Sequence, residues 1–388
     1  MLTITESRGD AAVRTSEGSG DLVLLTWLGR GAPRSDADPE QAYREIVQAL
    51  REQGAVPVQE RVVCDLSVAS AIGAARERAL VASNETWPVP PTFVEGSPLG
   101  RRGVSGIHVI GARGRARTVA EGERVFGTLV ETAEARVLGL SDVGRRAAGR
   151  LGAGPAEEAG AAIDSAEQLL ASEGFGFRDV ARTWFYLRDI LDWYGPFNAV
   201  RNAAFRRMGL MGANGNGRIP ASTGIEGRNA RGGWSTLDLL AFAPREGHRT
   251  EIKRLHNSKQ NEATEYGSAF ARATEVVVGD ARYIFVSGTA SIDDRGESVH
   301  PGDFETQTLF TLDAVRALLL GSGASLSDLQ QATAFIKNPC DGRAFERIVE
   351  RAGLSAVPLV TTVADVCRDE LLFEIDATAV LPVREGRR

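Results

Sequence analysis

The chain has 388 residues, of which 43% are hydrophobic and 25% are charged, and its formal net charge at pH 7 is −6. This length is enough for two or three domains, and the acidic balance argues against a nucleic-acid partner, which would require a basic excess. No apolar run reaches the ~20 residues that a membrane-spanning helix needs, so no membrane partner is expected.

The N-terminal segment 1–20 is polar and lacks both the basic start and the apolar stretch of a secretory signal. We interpret it as a mobile tail. The three cysteines, Cys64, Cys340 and Cys367, are far apart, and the four histidines form no close pair. This pattern predicts neither a disulfide framework nor a metal site, and it indicates a reducing, cytoplasmic location.

A first structural unit is predicted over residues 21–115. A strand-like run, LVLLTWLG, precedes an amphipathic helix over 39–54 that ends at a glycine. The strand ERVVCDL and a shorter helix over 69–83 come next. A proline-bearing segment then leads into a closing strand, SGIHVIGAR.

The same order recurs over residues 116–250. The strand ARVLGLS precedes a long helix over 155–174, which is followed by the strand ARTWFYLRD and a shorter helix over 197–209. A segment around Pro220 connects this helix to the closing strand STLDLLAFAP.

A third copy is predicted over residues 251–388. It contains YIFVSGTASI, a helix over 303–323, ATAFIKNP, a helix over 342–353, Pro358 and the closing strand LFEIDATAVLP. Three copies of one order favour a threefold repeat of an α+β unit with helices on one sheet face. The alternative is an ordinary α/β protein whose helices merely look alike.

The repeated unit resembles the RidA (YjgF) fold, a chorismate-mutase-like α+β unit. That resemblance implies trimeric assembly with small carboxylates bound in clefts between adjacent units. Three units in one chain therefore imply a monomeric, single-chain pseudo-trimer. The first unit is the most degenerate of the three.

At a finer level the chain resembles the chorismatase family. The segments that carry this resemblance are GRIPASTGIEGRN (217–229), NSKQNEATEYGSAFAR (257–272), FVSGTASID (285–293) and ADVCRDELLFEID (364–376). The resemblance implies release of pyruvate from chorismate, as a small-molecule substrate, without a cofactor.

Glu374 is the predicted catalytic acid. Alignment of the three closing strands places it level with His108 and Asp238, and only the third unit carries a glutamate there. A buried carboxyl group with a raised pKa could protonate the enolpyruvyl methylene carbon of chorismate. The alternative is a solvated or arginine-paired carboxylate. Asp376 shares its face, and could either help to retain the proton or pair with an arginine.

Cys367 precedes Glu374 by seven residues. Among the chorismatases that the chain resembles, this spacing belongs to the subtype that forms 3-hydroxybenzoate. The resemblance implies that the thiol determines which product forms by excluding water. Plain packing is the alternative role. The hydrolytic subtype and a non-catalytic metabolite-binding protein remain alternative functions. Imine deamination is disfavoured, because Leu359 and Val360 stand where a RidA deaminase carries its arginine.

Two substrate carboxylates require cationic or amide-rich subsites. The alternative interpretations are solvated arginines at the surface, a flexible hairpin over the glycine-rich loop, a polar connection at the start of the third unit and a β-bulge at Gly288. The aromatic residues of the second unit, Tyr194 among them, are assigned to the core and to the interfaces between units. The predicted substrate-binding residues are Arg201, Arg218, Thr223, Gln260, Tyr266, Ser268, Arg272, Gly288, Ala290 and Arg368.

Overall fold

The computed structural model describes residues 3–4, 12–15, 20–28, 39–99, 102–146, 154–212 and 217–383. Three six-stranded sheets with the same strand order follow one another along this part of the chain. The predicted α+β pseudo-trimer is confirmed.

The first unit is built on a sheet with the order β1-β2-β3-β6-β4-β5. Its helices are α1 (Pro39–Glu52) and α2 (Ala69–Ala82). Its strands are β1 (Thr3–Ile4), β2 (Ala12–Thr15), β3 (Leu22–Leu28), β4 (Val56–Cys64), β5 (Thr92–Glu95) and β6 (Val104–Ala112).

Strands β1 and β2 fall within the segment predicted as a mobile tail. Residues 1–2, 5–11 and 16–19 of that segment lie outside the described part of the chain. The unit boundaries proposed from the sequence, 1–20, 21–115, 116–250 and 251–388, stay predictions.

The second unit has the equivalent order β7-β8-β9-β12-β10-β11. Its helices are α3 (Pro155–Ser172) and α4 (Ile190–Arg207). Its strands are β7 (Arg115–Glu121), β8 (Arg124–Glu131), β9 (Ala135–Leu140), β10 (Val180–Leu187), β11 (Ala221–Glu226) and β12 (Ser235–Pro244). Helix α4 begins before its predicted start, because a first turn precedes Pro196 and the helix kinks at Trp193.

The third unit has the order β13-β14-β15-β18-β16-β17. Its helices are α5 (Phe304–Gly321) and α6 (Gly342–Arg351). Its strands are β13 (Ile252–Leu255), β14 (Ala273–Val278), β15 (Ala281–Ala290), β16 (Leu329–Ile336), β17 (Leu359–Val363) and β18 (Phe373–Pro382).

The three units close on one another in a ring. The parallel edge strand of each unit lies against the next unit: β5 bridges to the second unit through Val94 and Asn229, and in β11 the Ser222 amide donates to Ser287 Oγ at 2.8 Å. At the end of β17, the Val363 amide donates to the carbonyl of Ser97 in the first unit at 3.0 Å. Three apolar clusters fill the space between each sheet and its helices, and a fourth joins residues from all three units.

The closing strands show that the sequence alignment of Glu374 is wrong by two residues. Equivalent positions pair with the central strand as follows: His108 with Arg61, Asp238 with Trp184, and Asp376 with Thr333. Glu374 pairs with Phe335, so its equivalents are Gly106 and Thr236. A shift of two leaves every side chain on the same sheet face, so apolar alternation could not detect it. Among these three equivalent residues, Glu374 is still the only acid.

The first unit contains a buried ion pair between helix α2 and strand β4. Arg76 Nε lies 2.9 Å from Glu60 Oε2, and the Tyr43 hydroxyl donates to Glu60 Oε1 at 2.6 Å. The two charged side chains are 5% and 0% exposed. Arg76 also contacts the exposed Glu77 at 2.8 Å, so Glu60 is its buried counter-ion rather than its only carboxylate partner.

We expect Glu60→Gln to lower the free energy of unfolding by about 3 kcal/mol, because Arg76 loses its buried counter-ion and keeps only the exposed Glu77. Chemical denaturation measures the loss. The matched control is Glu85→Gln, which breaks the exposed pair with Arg51 and should cost less than about 1 kcal/mol. Equal losses in the two variants would contradict the role of the buried pair.

Candidate active site

A small enclosed cavity lies in the cleft between the second and third units, and its volume is about 200 Å³. Helix α4 and strand β11 form one wall, and the third unit forms the other. The lining residues are Tyr194, Asn198, Arg201, Ser222, Gly224, Tyr266, Ser268, Phe270, Arg272, Gly288, Ala290, Ile292, Cys367, Arg368 and Glu374. This size suits a small molecule rather than a polymer.

Glu374 lies on β18 with its carboxyl group at the cavity, and its side chain is buried. A register shift in β15 sets Gly288 beside it, and a Cβ at Gly288 would fall 2.1 Å from Glu374 Oε1. Glycine is therefore needed for the carboxyl group to approach the strand this closely. Burial, reinforced by the Asp376 charge and opposed by Arg182, raises the pKa of Glu374 to about 8. The group is protonated at neutral pH.

Asp376 points to the same interior but is paired. Arg182 Nη2 lies 3.0 Å from Asp376 Oδ2, and the Thr223 hydroxyl donates to the same oxygen at 2.8 Å. Both partners come from the second unit and are buried. Of the two roles considered for Asp376 from the sequence, arginine pairing is thus observed, and the proximity to Glu374 is present as well.

Three arginines reach the cavity and hold only uncharged hydrogen-bond acceptors. Arg201 donates to Asn198 Oδ1 at 2.6 Å, Arg272 donates to the Asn261 carbonyl at 2.8 Å, and Arg368 donates to a backbone carbonyl at 2.9 Å. Within the described ranges, none of the three forms an ion pair with a carboxylate. Their positive charges are therefore available to an anionic ligand.

Aromatic rings separate these guanidinium groups. Arg201 lies 5.6 Å from the centre of the Phe270 ring, and Arg272 lies at the same distance on that ring. Tyr266 is flanked by Arg272 at 5.4 Å and Arg368 at 5.6 Å. Such contacts hold cations in place without consuming their hydrogen-bonding capacity toward a ligand.

Cys367 lies at the cavity beside Tyr194, whose hydroxyl forms a hydrogen bond with the thiol. Burial, together with the nearby Glu374 charge, raises the pKa of Cys367 to about 12. The sulfur is therefore a neutral thiol at physiological pH and a poor nucleophile.

The segment that carries Cys367 and Arg368 is anchored by a buried glutamine of helix α5. Gln307 Nε2 donates to the carbonyl of Glu370 at 2.8 Å, and Gln307 Oε1 accepts from the amide of Leu372 at 2.8 Å. These bonds hold the segment between β17 and β18 in one position against the cavity.

Nine of the twelve predicted site residues line the cavity, and three do not: Arg218, Thr223 and Gln260. Arg218 lies before the start of β11 and lines a separate cavity. Thr223 is turned toward Asp376. Gln260 lies behind the wall and donates to the carbonyls of Ala290 and Ile292 at 3.1 and 2.7 Å. The chemical roles of the other nine stay predictions.

Sequence reasoning missed six cavity residues, which are Tyr194, Asn198, Ser222, Gly224, Phe270 and Ile292. The helical spacing of Tyr194, Asn198 and Arg201, at intervals of four and three, is the signal that could have found the first two. Tyr194 also stacks on Phe197, with the ring centres 5.9 Å apart. One face of its ring therefore belongs to the core, and the residue also lines the cavity.

The two other inter-unit clefts have different contents. In the cleft between the first and second units, Arg231 is paired with Asp142 at 2.7 Å, and Thr236 occupies the position of Glu374. The cleft between the third and first units is a cavity of about 810 Å³ whose lining mixes apolar residues such as Phe345 with Arg343 and Glu346, and Gly106 occupies that position. An acid surrounded by free arginines is therefore a property of one cleft in the described part of the chain.

The described residues contain no group of three histidine, cysteine, aspartate or glutamate side chains placed to hold a metal ion. In the same part of the chain, no helix combines the length and apolarity needed to cross a membrane.

Comparison with known proteins supports the resemblance on which the sequence interpretation depends. Residues 268–381 match the family model described as Endoribonuclease L-PSP. A 3-hydroxybenzoate synthase from Streptomyces hygroscopicus is 29% identical over 54% of this chain, and the match spans 65% of the synthase, just under two thirds of its length. A RutC family protein from Pyrococcus horikoshii is 29% identical over 25% of the chain and 78% of its own length.

The fold is similar to that of a chorismatase of known crystal structure. The TM-score is 0.63 with 20% identity, over 94% of this chain and all of that chain. The expected resemblance to chorismatases is thus confirmed in sequence and in fold.

We expect Gly288→Ala to displace the Glu374 carboxyl group by about 1 Å or more, since the added Cβ would otherwise overlap Oε1. Crystal structures of the variant and the unmodified protein measure the displacement. Gly224→Ala is the matched control in the same cavity, because its Cβ would lie 3.5 Å from the Tyr194 ring, an ordinary contact. An unmoved carboxyl group in Gly288→Ala would contradict the close approach.

Proposed function

We propose that this chain is a cofactor-independent enzyme that cleaves chorismate to 3-hydroxybenzoate and pyruvate. The observation that carries the proposal is the neutral, buried Glu374 carboxyl group in a small cavity with three arginines free of carboxylate partners. The similarity to a 3-hydroxybenzoate synthase supports the same reaction. We further propose that the chain acts as a monomeric pseudo-trimer in the cytoplasm.

Substrate binding follows from charge. Chorismate carries two carboxylates, and Arg201, Arg272 and Arg368 supply the cationic donors around the cavity. Guanidinium groups bind carboxylates through paired, charge-assisted hydrogen bonds. Both substrate charges can therefore be neutralised while the ring occupies the space next to Glu374.

The chemical step begins with proton transfer from Glu374 to the methylene carbon of the enolpyruvyl group. This transfer gives an oxocarbenium ion and leaves Glu374 as a carboxylate. The oxygen of the neighbouring ring hydroxyl then bonds to the ring carbon that carries the ether, the bond from that carbon to the ether oxygen breaks, pyruvate departs as the ketone, and the hydroxyl proton passes to the Glu374 carboxylate. One C–O bond of the epoxide-like intermediate then breaks, its oxygen takes a proton from Glu374, and loss of a ring C–H proton gives the aromatic product and returns a proton to Glu374. The atoms of the two products sum to those of chorismate, so no water is consumed.

Cys367 favours this route over hydrolysis. Its thiol is neutral and half-buried, and it occupies cavity space beside Tyr194 and Glu374. Water admitted there would capture the oxocarbenium ion and give pyruvate with a dihydroxycyclohexadiene carboxylate instead. The thiol thus acts by excluding water rather than by nucleophilic attack.

Incubation of the pure protein with chorismate tests the proposal, with pyruvate followed by lactate dehydrogenase. We expect turnover, and we expect Glu374→Gln to lower kcat by about 10²–10⁴-fold, because the amide has no proton to donate. Since the active form is protonated, the rate should fall as pH rises through about 8, the pKa of Glu374. Binding of chorismate without pyruvate release by the unmodified protein would instead support a metabolite-binding function.

Cys367→Ala is expected to shift the product from 3-hydroxybenzoate toward the dihydroxycyclohexadiene carboxylate, because the vacated space admits water. Product ratios are measured by chromatography, with pyruvate release as the common total. Cys64→Ala, a buried cysteine of the first unit, serves as the control and should leave the ratio unchanged. An unaltered ratio in Cys367→Ala would assign Cys367 to packing alone.

A further inference from the structure

Asp376 occupies the third copy of a position that joins units throughout the ring. In the first unit, His108 Nε2 lies 3.2 Å from Thr333 Oγ1 of the third unit. In the second unit, Asp238 Oδ1 accepts from the Thr92 hydroxyl of the first unit at 2.9 Å. Each copy of this position therefore makes a polar contact across an interface, and the third copy alone shares its strand with a cavity acid.

Asp376 adds an ion pair to this contact between units. Its carboxylate accepts from Thr223 at 2.8 Å and from Arg182 Nη2 at 3.0 Å. Arg182 is 1% exposed, and its Nη1 has no hydrogen-bond partner within the described residues. Asp376 is the carboxylate that forms an ion pair with this buried guanidinium.

We propose that Asp376, held by Arg182 and Thr223, is a positioning residue that keeps Glu374 in the protonated form needed for catalysis. This inference rests on the proposed role of Glu374 as the acid. Without Asp376, the guanidinium of Arg182 would have the Glu374 carboxylate as its natural counter-ion. Pairing with Asp376 thus keeps the Arg182 guanidinium of the second unit from stabilising the ionised form of Glu374.

The groups that face Glu374 are consistent with this role. On its own strand, Asp376 favours the neutral form, and from β10, Arg182 favours the charged form. Cys367 and Tyr194 also interact with Glu374, and burial keeps both of them neutral by raising their pKa values. Asp376 is therefore the negative charge that offsets Arg182.

The cavity arginines act in the opposite direction to Asp376. Arg201, Arg272 and Arg368 line the same cavity and carry positive charge. Positive charge near a carboxyl group favours its ionised form, and a bound anionic ligand would offset that effect. A fixed negative charge behind the acid is one way to keep it neutral in such surroundings.

The direct test is the titration of Glu374 in Asp376→Asn, followed by ¹³C NMR of protein labelled at glutamate carboxyl carbons. Subtraction of the corresponding spectrum with Glu374→Gln identifies the Glu374 signal. We expect the midpoint to fall by about one pH unit or more, because the substitution removes a negative charge and frees Arg182. The alkaline limb of the chorismate reaction should move to lower pH by the same amount.

Asp238→Asn is the matched control, since it makes the same substitution at the equivalent interface position in the second unit. It should leave the Glu374 midpoint unchanged, whatever its effect on thermal stability. An unchanged midpoint in Asp376→Asn would overturn the inference and reduce Asp376 to a joint between units.

A second variant covers the case in which Asp376→Asn does not fold with Arg182 unpaired. Arg182→Gln combined with Asp376→Asn removes both charges and leaves two amides. The midpoint should then fall by less than in the single variant but remain below that of the unmodified protein. A midpoint equal to or above the unmodified value overturns the inference. Because NMR needs no turnover, absence of pyruvate release would refute the proposed function without affecting this result.

Discussion

Burial of the Glu374 carboxyl group between two units is the constraint on which the rest of the site depends. An ionised carboxylate in an apolar interior is costly, so the group either takes a proton or finds a cation. The guanidinium of Arg182 acts on Glu374, and it is already engaged by Asp376. The close approach of β15 at Gly288 excludes solvent from one side of the carboxyl group. Protonation at neutral pH is the result.

The ring of three units explains why one chain can hold three different clefts. In a trimer of identical subunits, any residue placed in one cleft appears in all three. Here the position of Glu374 is a glycine in the first unit and a threonine in the second. One of the other clefts contains an internal ion pair, and the other has a larger cavity with a mixed polar and apolar lining. Covalent linkage thus allows one cleft to carry the acid while the other two are free of that requirement.

The sequence predicted the architecture well because repetition is visible in the order of elements, and order does not depend on exact register. Register is a finer property, and the position of Glu374 was assigned two residues away from its true equivalents. Strand periodicity cannot detect that error, because residues two apart share a face. The true set, Gly106, Thr236 and Glu374, is visible only from the ladder pairs.

The cavity residues that were predicted correctly are mostly charged or reactive residue types, such as Glu374, Arg201 and Arg368. Sequence could not distinguish a side chain in the cavity from one directly behind it. Gln260 bonds two backbone carbonyls of the wall, and Thr223 belongs to the joint with Asp376. Hydrogen-bonding capacity is the same in both positions, and only the direction of the side chain separates them.

The charges of the cavity also suggest why a dianionic ligand suits this site. Three guanidinium groups without carboxylate partners repel one another, and each lowers the proton affinity of a nearby acid. A ligand with two carboxylates would offset most of that positive charge on arrival. Its negative charge would then raise the pKa of Glu374 further, so the acid would hold its proton most firmly when the ligand to be protonated is in place. Under the proposed function, the substrate would thus complete the electrostatic environment that its own cleavage requires.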